Sequence, residues 1–559
     1  MLLSNMELLA TAPGGVAKLR ELILTLAVQG KLVPQDPADE PAGVLLQKIR
    51  AEKDRLIAEG KIKRDKPLAE IAEEEKPFEL PVGWEWVRFG DVVSISSGVT
   101  LGRKTPYAKP VSLPYLRVAN VQRWYLDLAS MKEVVVDQVE LPRFQLRKGD
   151  LLITEGGDWD KVGRTAIWRD EIATCLHQNH VFKARAITPD WNAGWAELFL
   201  NSGVARSYFA SSAKQTTNLA SINMTQLKHC AFPLPPLAEQ SRIVTRVEAL
   251  MRLCDALEAK GQLEAAQHAQ LVSTLLGTLT ASTTPEELAA HWQRVAQHFD
   301  LLLDRPEAID ALEQTLLQLA VRGLLVPQDP TDEPASALLQ KIRAEKDRLI
   351  ATGQIKRDKP LPPITDEEKP FELPVGWEWV RMGALIELVS GQHLGPSEYV
   401  DGLTASLPYL TGPAEFGALS PAPTRSTHER RAVAICDDIL ITVKGSGVGK
   451  LNVVKHDEMA ISRQLMAIRP ILLNPEFLMI FLQTMSLYFQ AKSIGIAIPG
   501  IGREDVAHAE FGLPPLPEQS RIVTRITALR RLCGDLRQRL AERQSVQARL
   551  AGALVAQVV

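Results

Sequence analysis

The sequence predicts an α+β protein with a pseudo-twofold internal repeat: two α/β domains separated by a pair of long antiparallel, coiled-coil helices. Three observations carry this. The stretch KPFELPVGWEWVR stands at Lys76–Arg88 and again, unchanged, at Lys369–Arg381. After each LPPL motif the apolar residues step by four and three, as in a heptad seam. Between the repeated blocks lie short β-like runs bounded by Gly, Pro and Asn.

The repeat comes first, because it organises everything else. LLQKIRAEKDRLIA at Leu45–Ala58 returns unchanged at Leu338–Ala351, and KLVPQDPADEPA (Lys31–Ala42) matches LLVPQDPTDEPA (Leu324–Ala335), both 293 positions on. FPLPPLAEQSRIVTR (Phe232–Arg246) pairs with FGLPPLPEQSRIVTR (Phe511–Arg525), 279 positions on. The insert between matched blocks is therefore 14 residues shorter in the second half, and the two inserts, roughly 90–231 and 383–510, have diverged. Drift alone would blur frames and inserts alike. Similar frames imply similar surfaces offered to similar partners, and unlike inserts imply unlike targets. The chain divides into an N-terminal frame helix with a charged helical linker (1–80), a first insert domain (81–236), a central frame helix with a second linker (237–373), a second insert domain (374–515) and a C-terminal frame helix (516–559).

In the first long helix Ile243, Val247, Leu250, Cys254 and Leu257 form the seam. In the second, Ile522, Ile526, Leu529, Cys533, Leu536 and Leu540 do the same, and Leu550 and Leu554 resume the phase. Pro235, Pro236, Pro514 and Pro515 precede the helices, where proline is tolerated. Each helix can run ~40 residues, about 60 Å. Polar residues interrupt the seam at Gly261, Glu264 and His268 and at Arg543 and Gln547. Gly261 is open to three readings: a close backbone approach, a kink or early helix end, or a solvated helix middle. An apolar seam needs a partner, either the other long helix packed antiparallel or a helix of another protein. Ile243, Val247, Leu250, Leu257, Ile522, Ile526, Leu529 and Leu536 are the candidate partner-binding residues.

A helix at Ala17–Val28 resembles one at Ala308–Val321. The stretch Lys48–Pro67 and its twin read as an amphipathic surface helix and then a basic linker. In the repeated stretch, Pro77, Pro81 and Gly83 keep the backbone extended, and Trp84 and Trp86 alternate as in a strand. It reads as a tether with Trp as anchor, kept because both inserts dock on the frame in the same way.

Bulk properties fit a soluble, multi-domain chain of 559 residues with 45% hydrophobic and 23% charged residues. A net charge of −3 gives no sign of a basic nucleic-acid binder, though a local basic face can sit on a neutral chain. Five cysteines without a CxxC pair suggest a reducing compartment. No signal peptide and no membrane span are expected, so the chain reads as cytoplasmic.

Catalytic readings of the inserts fail on detail. KGSGVGKL (Lys444–Leu451) lacks the first Gly and the final Ser/Thr of a P-loop. Asn474–Phe477 (NPEF) lacks the second proline of an amino-methyltransferase motif, and Glu74–Lys76 lacks the strand a nuclease site needs. Cys175, His177 and His180 have no fourth ligand at a sensible spacing, so no metal site is assigned. What remains are polar, flat-edged residues in glycine-rich loops. The first insert offers Arg117, Asn120, Gln122, Arg123, Trp124, Lys161, Arg164, His177, Gln178, Asn179, Lys214, Thr216, Thr217, Asn218 and Asn223. The second offers Lys444, Ser446, Lys450, Ser462, Arg463, Gln464 and Arg503. Arg pairs with guanine and Asn/Gln with adenine in the major groove, while Lys, Ser and Thr hold phosphates. Their clustering at matching places in both inserts points to double-stranded DNA.

LPPLAEQSRIV, repeated as LPPLPEQSRIV after a variable domain, resembles the specificity subunits of type I restriction–modification enzymes. ELPVGWEWVRFGDVV, GDLLITEGGDWDKVGRTAIW, HQNHVF, TTNLASINMTQLK, DDILITVKGSGVGK and IPGIGREDV are similar to that family's target-recognition domains. The resemblance covers nearly the whole chain. It implies that each insert is a target-recognition domain reading one half of a split DNA site, with half-sites about one duplex turn (~34–36 Å) apart, and that the long helices set the spacer. It implies two modification subunits that bind S-adenosylmethionine, restriction subunits that use ATP and magnesium, and no catalytic residue or cofactor on this chain. The alternatives are the specificity partner of a type II-like system that cuts on both sides of its site, an enzyme acting on nucleic acid alone, and a scaffold that reads no DNA.

Overall fold

A computed structural model describes residue 9 and residues 11–556, apart from 63, 65, 103–105, 158–160, 217–218, 446 and 494–499. The chain folds as two units, residues 1–263 with 544–559, and residues 264–543. A helix of 44 residues, Leu237–Thr280, begins in the first unit and ends in the second. A helix of 41 residues, Leu516–Ala556, begins in the second and ends in the first. Among the described residues no helix is long and apolar enough to cross a membrane.

In the first unit, Ile243, Val247 and Cys254 of the first long helix are buried in one core. They pack there with Ile23, Ala27 and Val28 of a short helix (Gly15–Val28) and with Trp195, Leu198 and Phe199 of a helix in the insert (Ala193–Asn201). In the second unit, Ile522, Ile526, Cys533 and Leu540 share a core with Ile309, Leu312 and Leu316 of the helix Pro306–Val321 and with Phe477 and Phe481 of Pro475–Thr484. Leu250, Leu257, Leu529 and Leu536 are half-buried on the same faces. The assignment to partner binding is thus corrected for Ile243, Val247, Leu250, Ile522, Ile526, Leu529 and Leu536, which pack against the chain's own short helices and insert domains; Leu257 is half-buried outside both cores.

The short helix of the second unit also fixes direction. His268 meets Leu301 O at 3.0 Å and Arg322 reaches Thr280 O at 2.6 Å, so the end of the first long helix runs parallel to Pro306–Val321. Arg530 lies 3.0 Å from Glu313 and Arg537 lies 2.7 Å from Asp310, so the second long helix runs antiparallel to it. Within this unit the two long helices therefore point in opposite directions, as the sequence predicts. Gly261 neither breaks nor crowds its helix: a Cβ there would meet nothing within 4 Å, which makes it a solvated helix middle.

The phase at the far ends differs from the heptad reading. Leu550 stands 51% exposed while Ala551 is buried, and Leu271 stands 52% exposed while Val272 is buried. A straight α-helix drifts by ~20° per heptad, so after four heptads the buried stripe has moved on by about one residue. The first long helix carries Ile243, Val247 and Cys254 for one unit and Val272, Leu276 and Leu279 for the other.

The LPPL-x-EQ motif is a junction. Glu239, 1% exposed, accepts hydrogen bonds from Trp84 Nε1 and Gln35 Nε2, both at 2.9 Å. Glu518 accepts the same pair from Trp377 (3.0 Å) and Gln328 (3.2 Å). Gln240 and Gln519 donate to Pro235 O and Pro514 O. Arg242–Asp39 and Arg521–Asp332 clamp the loop ahead of the amphipathic helices Ala42–Ala58 and Ala335–Ala351. The tether is a strand, Glu85–Arg88, paired antiparallel with Ala231–Leu234; Glu378–Arg381 pairs likewise with Glu510–Leu513. The anchoring tryptophan is buried, with Trp84 edge-on to Trp195 at 5.4 Å.

Each insert carries a four-stranded antiparallel sheet. The order is Val93–Ser96, Val181–Ala186, Leu151–Thr154, Thr165–Ile167 in the first, and Ile386–Ser390, Leu465–Pro470, Ile439–Thr442, Leu451–Val453 in the second. Leu151–Thr154 and Ile439–Thr442 are buried at every position, as expected of strands covered on both faces. A second sheet differs between inserts, three strands (Lys132–Asp137, Pro110–Leu116, Leu176–His177) against five around Leu407–Leu410.

Candidate nucleic-acid interface

In both inserts the loops gather where the covered strand ends. Thr154 donates its N–H to Arg164 O (3.0 Å) and accepts from Gly163 N–H (3.1 Å). Glu155 donates to His180 O (3.0 Å) and accepts from Ile222 N–H (2.9 Å), while Trp124 donates to Thr165 O (3.1 Å). Gly156 and Gly157 pair with Ser221 and Ala220. Gly156 must be glycine, because a Cβ there would sit 2.7 Å from Ala220 O. Residues 122–125, 155–157, 161–164, 178–180, 214–216 and 219–223 are thereby brought together.

The second insert repeats this lattice. Thr442 donates to Lys450 O and accepts from Gly449 N–H, both at 2.9 Å. Val443 donates to Gln464 O (2.8 Å) and accepts from Ile501 N–H (3.0 Å). Lys444 bridges to Gly500, and Pro413 lies beside Gly447. The loop KGSGVGKL joins two antiparallel strands, Ile439–Thr442 and Leu451–Val453, with no helix after it, which disposes of the P-loop geometry.

The side chains on the two lattices differ. In the first, Arg164 Nη1 donates to Gln122 Oε1 at 2.5 Å, and Arg123 reaches Asn201 at 3.4 Å. Trp124, at φ 73°, is 38% exposed beside the more exposed Tyr125. Glu155 meets His180 Nδ1 at 2.6 Å, and Asn179 lies 3.4 Å from the other ring nitrogen. Gln178 and Lys161 are half-buried, and Lys214 is exposed. In the second, Lys444, Lys450, Arg463 and Gln464 are exposed, and Arg463 has no ion pair or hydrogen bond among the described residues. Val443 stands buried where Glu155 stands in the first.

Several residues singled out from the sequence do other work. Asn120, 2% exposed, clips its own loop: its Oδ1 accepts from Arg117 N–H (3.0 Å) and its Nδ2 donates to Asp127 O (2.8 Å). Arg117 is half-buried and donates to Ser130 O. His177 is fully buried with Nδ1 2.7 Å from Val181 O, and burial drives its pKa down to about 3. Ser462 is buried and donates to Thr411 O. Asn223 caps the helix Met224–His229 by accepting from Gln226 N–H at 2.9 Å. Arg503 donates to Leu388 O at 2.6 Å and lies 3.4 Å from Asp358. Buried as they are, Asn120, His177 and Ser462 offer no free edge to a base. Thr216 places its backbone in the strand Lys214–Thr216, while Thr217, Asn218 and Ser446 lie outside the described residues. Tyr125, Glu155 and His180 stand at the same end of the domain and were not among the residues singled out as DNA-binding from the sequence. Only the backbone lattice shows that they reach this end of the domain. Among the described residues, no group of three His, Cys, Asp or Glu is placed to hold a metal.

A family model described as the type I restriction modification DNA specificity domain matches residues 81–267 and 429–543. The specificity subunit of the type I restriction enzyme EcoAI of Escherichia coli is 36% identical, over 97% of this chain and 93% of its own length. The chain belongs to the type I restriction–modification specificity-subunit family. The EcoEI specificity subunit, also of Escherichia coli, is 35% identical over the same shares. A solved structure from work on complex assembly and conformational transition of the type I R-M system shares the fold. It has a TM-score of 0.51 and 21% identity, and covers 86% of this chain and 99% of that one. The type II-like, two-sided-cutting alternative finds no support among these relatives.

Proposed function

We propose that each recognition domain, 81–236 and 374–515, reads one half of a split DNA site from the major groove, and that the helical frame sets the spacer and receives two modification subunits. The carrying observation is that one backbone lattice is built twice with unlike side chains on it: Glu155, His180, Gln122 and Arg164 in one domain, Lys444, Lys450, Arg463 and Gln464 in the other. Such a pair presents different hydrogen-bonding edges from equivalent positions, as two different half-sites require. Restriction subunits join the same complex in this reading. S-adenosylmethionine belongs to the modification subunits, ATP and magnesium to the restriction subunits, and this chain supplies recognition without catalysis in the cytoplasm. With a net charge of −3, the chain leaves much of the phosphate neutralisation to its partners.

The test is an exchange of residues 90–231 for the corresponding segment of a relative, followed by sequencing of methylated sites in cells carrying the modification subunits. One half of the split motif changes and the other is retained. A change in both halves, or in neither, overturns the reading.

A further inference from the structure

Between the first recognition domain and its frame lies a cavity of about 730 Å³, lined among others by Trp124, Ile167, Glu197, Leu198, Val247 and Met251. The second unit has the matching hollow, lined by Val453, Met479, Ile480, Ile526 and Arg530, and its volume is about 360 Å³. Trp124 apart, the positions named correspond in pairs. Asn192 and Asn474 cap equivalent helices, which sets Glu197 against Met479, and the frame register sets Met251 against Arg530.

The two units therefore solve one space in opposite ways. The second fills it from within: the guanidinium of Arg530 reaches Gln483 and lies 3.0 Å from Glu313, over an apolar floor that includes Met479. The first has a shorter, uncharged Met251 with Arg20 Nη1 3.9 Å from its sulfur, and leaves more space open, with three carboxylates (Glu197, Glu248, Glu258) against two guanidiniums (Arg20, Arg169) in the wall. Glu197 is 6% exposed. Its Oε1 accepts from Ile167 N–H at 3.1 Å, and among the described residues its Oε2 has only Arg169, 3.8 Å away and itself largely exposed. A carboxyl this deep holds its proton unless a charge partner comes within hydrogen-bond reach.

We propose that the cavity of the first unit is a binding site for an alkyl-guanidinium group. The ligand's cation meets Glu197 and its stem lies along Met251, Leu198 and Val247, the last two at the positions equivalent to the floor under Arg530 in the second unit. The occupant also touches Trp124, next to Gln122 and Arg123, so filling the site bears on the loop 122–125. A small molecule or an arginine side chain of a partner protein supplies the same chemistry. The proposal concerns the chain without DNA and stands apart from the split-site reading.

The probe is n-butylguanidinium, with the neutral, similarly shaped n-butylurea as its control, both followed by saturation-transfer NMR on the full chain. Butylguanidinium binds the parent, and butylurea binds at least about tenfold more weakly because it lacks the charge-assisted contact. Glu197→Met, which installs the second unit's residue, and Met251→Arg, which fills the space from within, each abolish the signal while melting as cooperatively as the parent. Equal binding of both probes, no binding of either, or binding that survives both substitutions overturns the proposal. Repeating the titration with modification subunits present separates the sources. Loss of the signal assigns the site to a partner's arginine, and retention assigns it to a small molecule.

Discussion

Arg20 and Glu258 meet at 3.0 Å in the first unit, and the residues at the corresponding positions of the second, Glu313 and Arg537, meet at 2.7 Å with the charges exchanged. Asp255 joins the first pair at 2.6 Å and Arg530 joins the second at 3.0 Å. A duplicated frame offers each short helix two similar seats. The wrong seat would set Arg20 against Arg530 and Arg537, and Glu313 against Asp255 and Glu258. The exchanged polarity penalises that pairing, in the way charge patterns specify partners elsewhere.

In an Asp255→Ala background, Arg20→Glu lowers stability by about 0.5–1 kcal/mol, the scale of partly exposed pairs. Adding Glu258→Arg restores it, and urea unfolding of the full chain reads both steps. The restored protein has the same polarity at both seats and therefore forms more swapped dimer on refolding, seen by size-exclusion chromatography. A double exchange that recovers nothing removes the pairing argument.

Trp84 and Trp377 each donate to a buried carboxylate at the start of a long helix. Replacing either by Phe keeps the ring but leaves Glu239 or Glu518 with one donor fewer. A hydrogen bond to a charged group is worth about 1.5–3 kcal/mol, so each substitution lowers stability by that order. A loss below about 0.5 kcal/mol would show that the tryptophan acts by packing alone.

These relationships explain what the sequence made legible. Exact repetition at Lys76–Arg88 and Lys369–Arg381 marks the tether, because the ladder with Ala231–Leu234, the Trp84–Glu239 bond and the Arg88–Glu75 pair leave little room for change. The heptads locate both long helices, but a strict seven-residue count overruns at Leu271 and Leu550, where a straight helix has turned past it. The seam's partner was not legible, since apolar spacing says that a face is covered and not by what. Site residues were the hardest to place. His177 and Gln178 are neighbours in one polar run, yet His177 ends a strand paired with Leu116 and points inward. Glu155 carries no signal of its own in the sequence, and only its bonds to His180 and Ile222 place it at the loop end of the domain.

Arg463 is exposed on the second lattice without a partner among the described residues, so Arg463→Ala costs the fold little and acts on DNA. The assembled complex loses about 1–3 kcal/mol of discrimination at one base pair of the second half-site, with the first half-site unchanged. Competition binding with duplexes scrambled in either half measures this. An equal loss against both halves would place Arg463 outside base reading.

Glu197 makes the stability of the first unit depend on pH. Burial raises its pKa from 4.5 to about 7, opposed by Arg169 and the Ile167 N–H. The folded state holds this proton more tightly than the unfolded chain does. Its stabilising contribution is therefore complete below about pH 4.5 and is lost as the pH rises through 7. A neutral Glu197→Gln lacks this dependence, so the variant gains on the parent between pH 4.5 and 8, by about 3 kcal/mol at most. Parent and variant are compared by denaturant unfolding at each pH. The comparison cancels carboxylates shifted the other way, such as Glu75, which Arg88 holds near a pKa of about 2. A difference that stays flat across that range, or grows toward acid, would mean that Glu197 keeps its charge when folded, and Arg169 would then have to be a far stronger partner than its 3.8 Å separation suggests.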